Sequence, residues 1–135
     1  MGRSLSFARL ATSTPVHVAC GFAAMGGWAI YANAAHGVRA ALLAGLVQGA
    51  ISGALTLGLK RSVDWMRPRM RGFLAYVAPP LIAGICSAML LILGHGLSGT
   101  PEIWMTIAVP LIVSFSYIFA YNILRQRRAE RIRDA

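Results

Sequence analysis

Between Ala41 and Leu59 the chain reads ALLAGLVQGAISGALTLGL, without a single charge. Its glycines recur at every fourth position, Gly45, Gly49 and Gly53, and a second stripe of the same period, Gln48, Ser52 and Thr56, runs beside them. Residues four apart stack on one face of a helix. One flank is therefore bare backbone, and the next is a ladder of hydrogen-bonding groups. In lipid, small residues let two helices approach closely and polar ones bond across the seam. This glycine zipper predicts a buried transmembrane helix–helix contact, within the monomer or between monomers.

Composition extends that reading to the whole chain. Of 135 residues, 57% are hydrophobic and only 13% are charged, with a mean hydropathy of +0.63. Soluble domains carry about 25% charged residues. The length accommodates roughly four spans of about 20 residues with short connections and no further domain. We therefore expect an all-α, polytopic four-helix transmembrane bundle forming one integral membrane domain over 1–135. Its spans fall near 15–35, 40–59, 73–94 and 103–124, with a basic tail over 125–135. The net charge of +9 and pI near 11.1 could suggest nucleic acid, but the basic residues flank apolar runs. That placement points to a membrane surface and its anionic phospholipid headgroups, and away from nucleic acid.

The opening residues, through Thr14, are Arg- and Ser-bearing and free of acid, and Ala32-Asn33-Ala34 has the A-x-A pattern of a cleavage site. A secretory signal peptide and an organellar presequence are thus alternatives to a first span. Against the signal peptide, Trp28 and Tyr31 sit close to the cut, where an aromatic belt would place them. The short link His36-Gly37-Val38-Arg39 makes spans one and two an antiparallel hairpin. After span two, Lys60 to Arg71 reads as a short basic amphipathic segment at the headgroups, with Trp65 as anchor and Pro68 breaking any long helix. Pro79-Pro80 either kink span three or mark its start. Ala83, Gly84, Ser87 and Ala88 form its small-residue patch. Thr100-Pro101-Glu102 reads as the start of span four, with Thr as N-cap, Pro at the first helical position and Glu in the first turn. Cys20 and Cys86 lie in apolar runs, where buried free thiols are expected.

Topology can be counted. Twelve of the thirteen basic residues fall in the N-terminal segment, the middle loop or the tail, and only Arg39 falls on the other side. The positive-inside rule then puts both termini in the cytoplasm, N-in and C-in. The expected setting is the inner membrane of a bacterium. The His-Gly pairs His36-Gly37 and His95-Gly96, each closing an odd-numbered span, give a faint echo of two related hairpins, too short to establish a repeat.

No enzyme motif and no pair of membrane-embedded carboxylates occurs in the sequence, so neither catalysis nor a cofactor is expected. Glu102 is the one acid expected on the outer side, level with Asn33, His36 and His95. These four form a candidate outward polar cluster, read either as a proton- or cation-responsive entrance or as a helix cap among wet turns. Two histidines and one carboxylate are too unspecific a set to assign a metal. Gln48, Ser52 and Thr56 form a candidate polar path facing Tyr117, Tyr121 or His17, or else act as interhelical glue. Lys60, Arg61, Arg67, Arg69, Arg71, Arg125, Arg127 and Arg128 form a candidate anionic-lipid rim. Two functions follow as expectations: a small transporter or lipid-translocating protein, or a non-transporting accessory or scaffold subunit of a larger complex. Four short helices shield little interior, so a homo-oligomer or a larger membrane partner is expected in either case.

Overall fold

The computed structural model describes residues 14–133. The N-terminal Arg3 and Arg9 lie outside them. The described chain is helical, with four α-helices: α1 (Thr14–Ala32), α2 (Val38–Met66), α3 (Phe73–Leu97) and α4 (Ile103–Arg133). Two 3-10 turns, Ala34–His36 and Arg67–Arg69, sit before and after α2. The last three helices are long and apolar enough to cross a membrane, whereas α1 has 19 residues with one proline, one histidine and three glycines diluting its hydropathy. The surface agrees with a lipid surrounding. Leu42, Leu46, Leu93, Ile112 and Trp104 are exposed, while Asn33, Gln48, His95, Thr106 and Asn122 have no exposure at all. A water-soluble core has the opposite distribution.

The α1–α2 contact is the tightest in the bundle. Along it Val18 meets Gly53, Phe22 meets Gly49 and Ile30 meets Gly45. One index rises as the other falls, so the two helices are antiparallel. A methyl group built on Gly45 would lie 2.5 Å from Ile30, and one on Gly49 would lie 2.9 Å from the Phe22 ring. Gly26 is more constrained still, because its methyl would meet the Gly45 carbonyl oxygen at 2.8 Å. The glycine face of α2 is thus consumed within the chain, and the partner stripe on α1 is Val18, Phe22, Gly26 and Ile30.

The α3–α4 pair packs next most closely, with Phe115 over Gly84. α2 lies against both α3 and α4, and α1 touches α4 but not α3. Leu59, Val63, Met66, Ala83 and Ile118 form the apolar centre towards the basic end. The expected separate amphipathic segment after span two is instead the last turns of α2, which continues through Lys60 and Arg61 to Met66. Pro68 then falls in the 3-10 turn. Ser52 to Met66 contains no proline, so nothing stops the helix before the one at 68. The tail likewise continues α4 as far as Arg133.

Pro79 and Pro80 lie inside α3, which begins at Phe73 and runs through both. Lacking N–H groups, they leave the carbonyls of Ala75 and Tyr76 without helical donors. α4 supplies the replacements. Asn122 Nδ2 donates to the carbonyls of Ala75 at 3.0 Å and Tyr76 at 2.8 Å, and Gln126 Nε2 donates to that of Ala75 at 2.9 Å. In lipid such carbonyls have no water to turn to. This repair fixes the register of α4 on α3.

Candidate functional site

The ends of the bundle differ in chemistry. Arg125 Nε lies 3.3 Å from Asp64 Oδ1, Tyr121 donates to Asp64 Oδ2 at 2.8 Å, and Tyr76 donates to Glu130 Oε2 at 2.6 Å. These bonds bring the Lys60–Arg71 and Arg125–Arg133 segments to one basic end. The 36–39 turn and Glu102 lie at the opposite end, where His36 Nε2 is 2.9 Å from Glu102 Oε1.

At that opposite end the expected polar cluster separates into two sites. Asn33, His36 and Glu102 do come together. Asn33 Oδ1 accepts from the Glu102 backbone N–H at 3.0 Å, and its Nδ2 donates to Thr106 Oγ1 at 2.8 Å and to the Ala29 carbonyl at 2.9 Å. A residue just past α1 thus caps the start of α4, a task the sequence pattern gives to Thr100. Thr100 does something else: its hydroxyl bonds His95 Nδ1 at 2.8 Å. The middle residue of the A-x-A tripeptide is therefore fully buried between α1 and α4.

His95 does not join His36 and Glu102. It belongs to α3, which runs two residues beyond it, and its Nε2 lies 2.8 Å from Gln48 Oε1. Gln48 Nε2 in turn donates to Ser52 Oγ at 2.9 Å. With Gln48 Oε1 as acceptor, His95 Nε2 carries the hydrogen, and Nδ1 of the neutral ring accepts from Thr100. The result is a buried chain, Ser52–Gln48–His95–Thr100, joining α2 to the C-terminal end of α3. His95 has no exposure and lies near the C-terminal end of α3. Thr56 donates to the Ser52 carbonyl of its own helix at 2.8 Å and faces Gly21. The stripe does not face Tyr117 or Tyr121, whose rings stack on each other beneath Lys60 Nζ, 5.8 Å from each.

The rim residues divide in the same way. Lys60 sits over the two tyrosines, the Arg69 guanidinium sits 3.9 Å over the Trp65 ring and bonds the Trp65 carbonyl, and Arg125 holds Asp64. Arg61, Arg67, Arg71 and Arg128 form no ion pair among the described residues. Arg127 lies close enough to Tyr76 to act on it electrostatically.

Two cavities open near the basic end. The larger, about 670 Å³, is a groove between α2 and α3 walled by Leu55, Ile82, Ala83, Cys86 and Leu90, with Arg61, Ser62 and Trp65 also lining it. The other, about 520 Å³, lies between the 3-10 turn at Arg67, the start of α3 and the end of α4. Neither cavity includes Gln48 or His95 in its walls. Cys20 and Cys86 are exposed free thiols, correcting the expected burial, and Cys86 faces the α2–α3 groove. Among the described residues no three of His, Cys, Asp and Glu come together as a metal-binding set.

Sequence reasoning passed over Asn122 and Gln126, the only amides near two prolines. Their spacing of four and the adjacent Pro79-Pro80 on the preceding helix were the available signal. No protein-family model, curated protein or solved structure matches this chain.

Proposed function

We propose that this chain is a four-helix integral membrane protein that binds anionic phospholipid at its basic end, in a binding rather than a catalytic role. The observation that carries the proposal is the α2–α3 groove. It is apolar along Leu55, Ile82 and Leu90, as an acyl chain requires, and it also offers Arg61, Ser62 and Trp65. Arg61 has no ion-pair partner among the described residues, so a lipid phosphate would complete it. By the positive-inside rule the basic end and both termini face the cytoplasm, with a bacterial inner membrane as the setting. Twelve basic residues against one across the two sides support that orientation.

Translocation along Gln48, Ser52 and Thr56 has less support, because those groups bond each other, their own helix and His95. That saturation favours the second reading, an accessory or scaffold subunit docked on a larger membrane partner or on copies of itself.

Native mass spectrometry of the full chain in nanodiscs of mixed phosphatidylglycerol and phosphatidylcholine tests the first reading. We expect one retained anionic lipid, lost on Cys86→Trp, which fills the groove, and weakened by Arg61→Gln. Lipid retention indifferent to both substitutions refutes it. A companion protein copurifying in fixed ratio with the wild type, and released by neither, supports the accessory role.

A further inference from the structure

The second cavity has a chemistry of its own. Arg67, Arg71 and Arg133 line it, and each belongs to a different element: the 3-10 turn, the link into α3 and the end of α4. None of the three forms an ion pair among the described residues. Arg67 Nε is buried without a hydrogen-bond partner, although an unmade bond to a buried charged donor is costly. The fold brings three arginines to one space of about 520 Å³ whose wall holds a single carboxylate, Glu130, leaving an excess of positive charge. The chain turns into α3 at Gly72, at a φ of +58°.

Among the apolar remainder of the wall, Gln126 and Glu130 supply acceptors. Glu130 accepts from Tyr76 at 2.6 Å, and Gln126 spends its amide N–H on the Ala75 carbonyl, leaving Oε1 to accept. One side therefore donates to an anion, and the other accepts from hydroxyls.

We infer that this cavity is a specific site for a phosphate monoester carrying neighbouring hydroxyls, the phosphate held by Arg67, Arg71 and Arg133 and the hydroxyls by Gln126 and Glu130. Guanidinium forks match phosphate oxygens in bidentate pairs, and three forks suit a phosphate better than a two-oxygen carboxylate. The site shares no residue with the α2–α3 groove and does not depend on that groove holding a lipid. The same chemistry arrives either as a soluble polyol phosphate or as the headgroup of a phosphomonoester lipid.

The test uses the full chain in phosphatidylcholine nanodiscs. Calorimetric titration with sn-glycerol 3-phosphate should give saturable binding, at least tenfold weaker in Arg67→Gln and in Arg71→Gln. It should stay within twofold in Arg128→Gln, which alters an exposed arginine outside the cavity, and in Cys86→Trp, which fills the groove. In a second arm the nanodiscs carry phosphatidic acid, and native mass spectrometry reads its retention in the same variants. Dependence on Arg67 and Arg71 in the first arm alone assigns a soluble ligand, and in the second alone a lipid headgroup. Indifference to Arg67→Gln and Arg71→Gln in both arms overturns the site, as does an equal loss in Arg128→Gln.

Discussion

Replacing Asn122 with leucine, which has the same number of side-chain heavy atoms and the same branching but no polar group, tests whether α4 repairs the backbone of α3. The wild-type amide donates to the carbonyls of Ala75 and Tyr76. After substitution the Ala75 carbonyl keeps Gln126, but the Tyr76 carbonyl loses its side-chain donor. A buried acceptor left unpaired costs about 1–3 kcal/mol, while measured interhelical bonds in membranes average about 0.6 and reach about 1.7 kcal/mol. Asn122 Oδ1 is itself buried without a partner, so its removal returns part of the loss. We expect a net destabilisation of about 1–2 kcal/mol. Pro80→Ala supplies the control, because an alanine there restores the N–H that bonds the Tyr76 carbonyl within the helix. In that background Asn122→Leu should cost less than about 0.5 kcal/mol, giving a coupling near 1 kcal/mol in the double-mutant cycle. Reversible unfolding in mixed detergent micelles, followed by tryptophan fluorescence, measures all four corners. An equal cost of Asn122→Leu in both backgrounds would refute the repair, whatever Pro80→Ala does alone.

Neighbouring glycines give a second test. Gly26→Ala forces a methyl to 2.8 Å from a backbone carbonyl that cannot rotate away, whereas Gly27→Ala meets nothing within 4 Å. The first should cost about 1–3 kcal/mol as overpacking. The second should be neutral or stabilise by up to about 1 kcal/mol through helix propensity. Equal effects in the same unfolding assay would remove the tight seam. Gly49→Leu should disrupt folding at the Phe22 contact, and Leu57→Ala, on the exposed face, should be far milder in yield of monodisperse protein. Gln48→Leu strands the buried His95 Nε2 and should lower stability by about 1–3 kcal/mol, with Gln48→Glu a poor rescue because it buries a charge. Unchanged melting of Gln48→Leu would show that the Ser52–Gln48–His95 chain contributes nothing. Glu102→Gln should change stability by less than about 1 kcal/mol, since its pairing with His36 is exposed. A larger loss would mean that the pair holds the two hairpins together.

What could be read from the sequence was what lives on one helix. The period-four stripe from Gly45 to Gly53 is a property of α2 alone, so the presence of a close contact was legible. Its partner, Val18, Phe22, Gly26 and Ile30 on α1, was not, because two of those side chains are large and look like ordinary lipid-facing residues. The stop at Pro68 was legible for the same local reason, while the continuation of α2 to Met66 was hidden by Lys60 and Arg61, whose charge suggested an end that the backbone does not make. Apart from the meeting of Asn33, His36 and Glu102, the contacts that cross between helices were not read from the sequence. Thr100 has the side chain and spacing of an N-cap, yet Asn33 takes that role and Thr100 turns to His95, a choice decided only when α1 and α4 meet. His36 and His95 look alike as His-Gly pairs, but one lies in an exposed turn and the other is sealed against Gln48. The difference comes from α3 extending to Leu97. The prolines carry the same lesson furthest: Pro79 and Pro80 state locally that two carbonyls are unpaired, and lipid demands that something answer them. A donor pair at 122 and 126 is the one arrangement in this chain that puts two amides on one helical face. A search for amides four apart, made wherever a membrane helix holds consecutive prolines, would have found the α3–α4 register without coordinates.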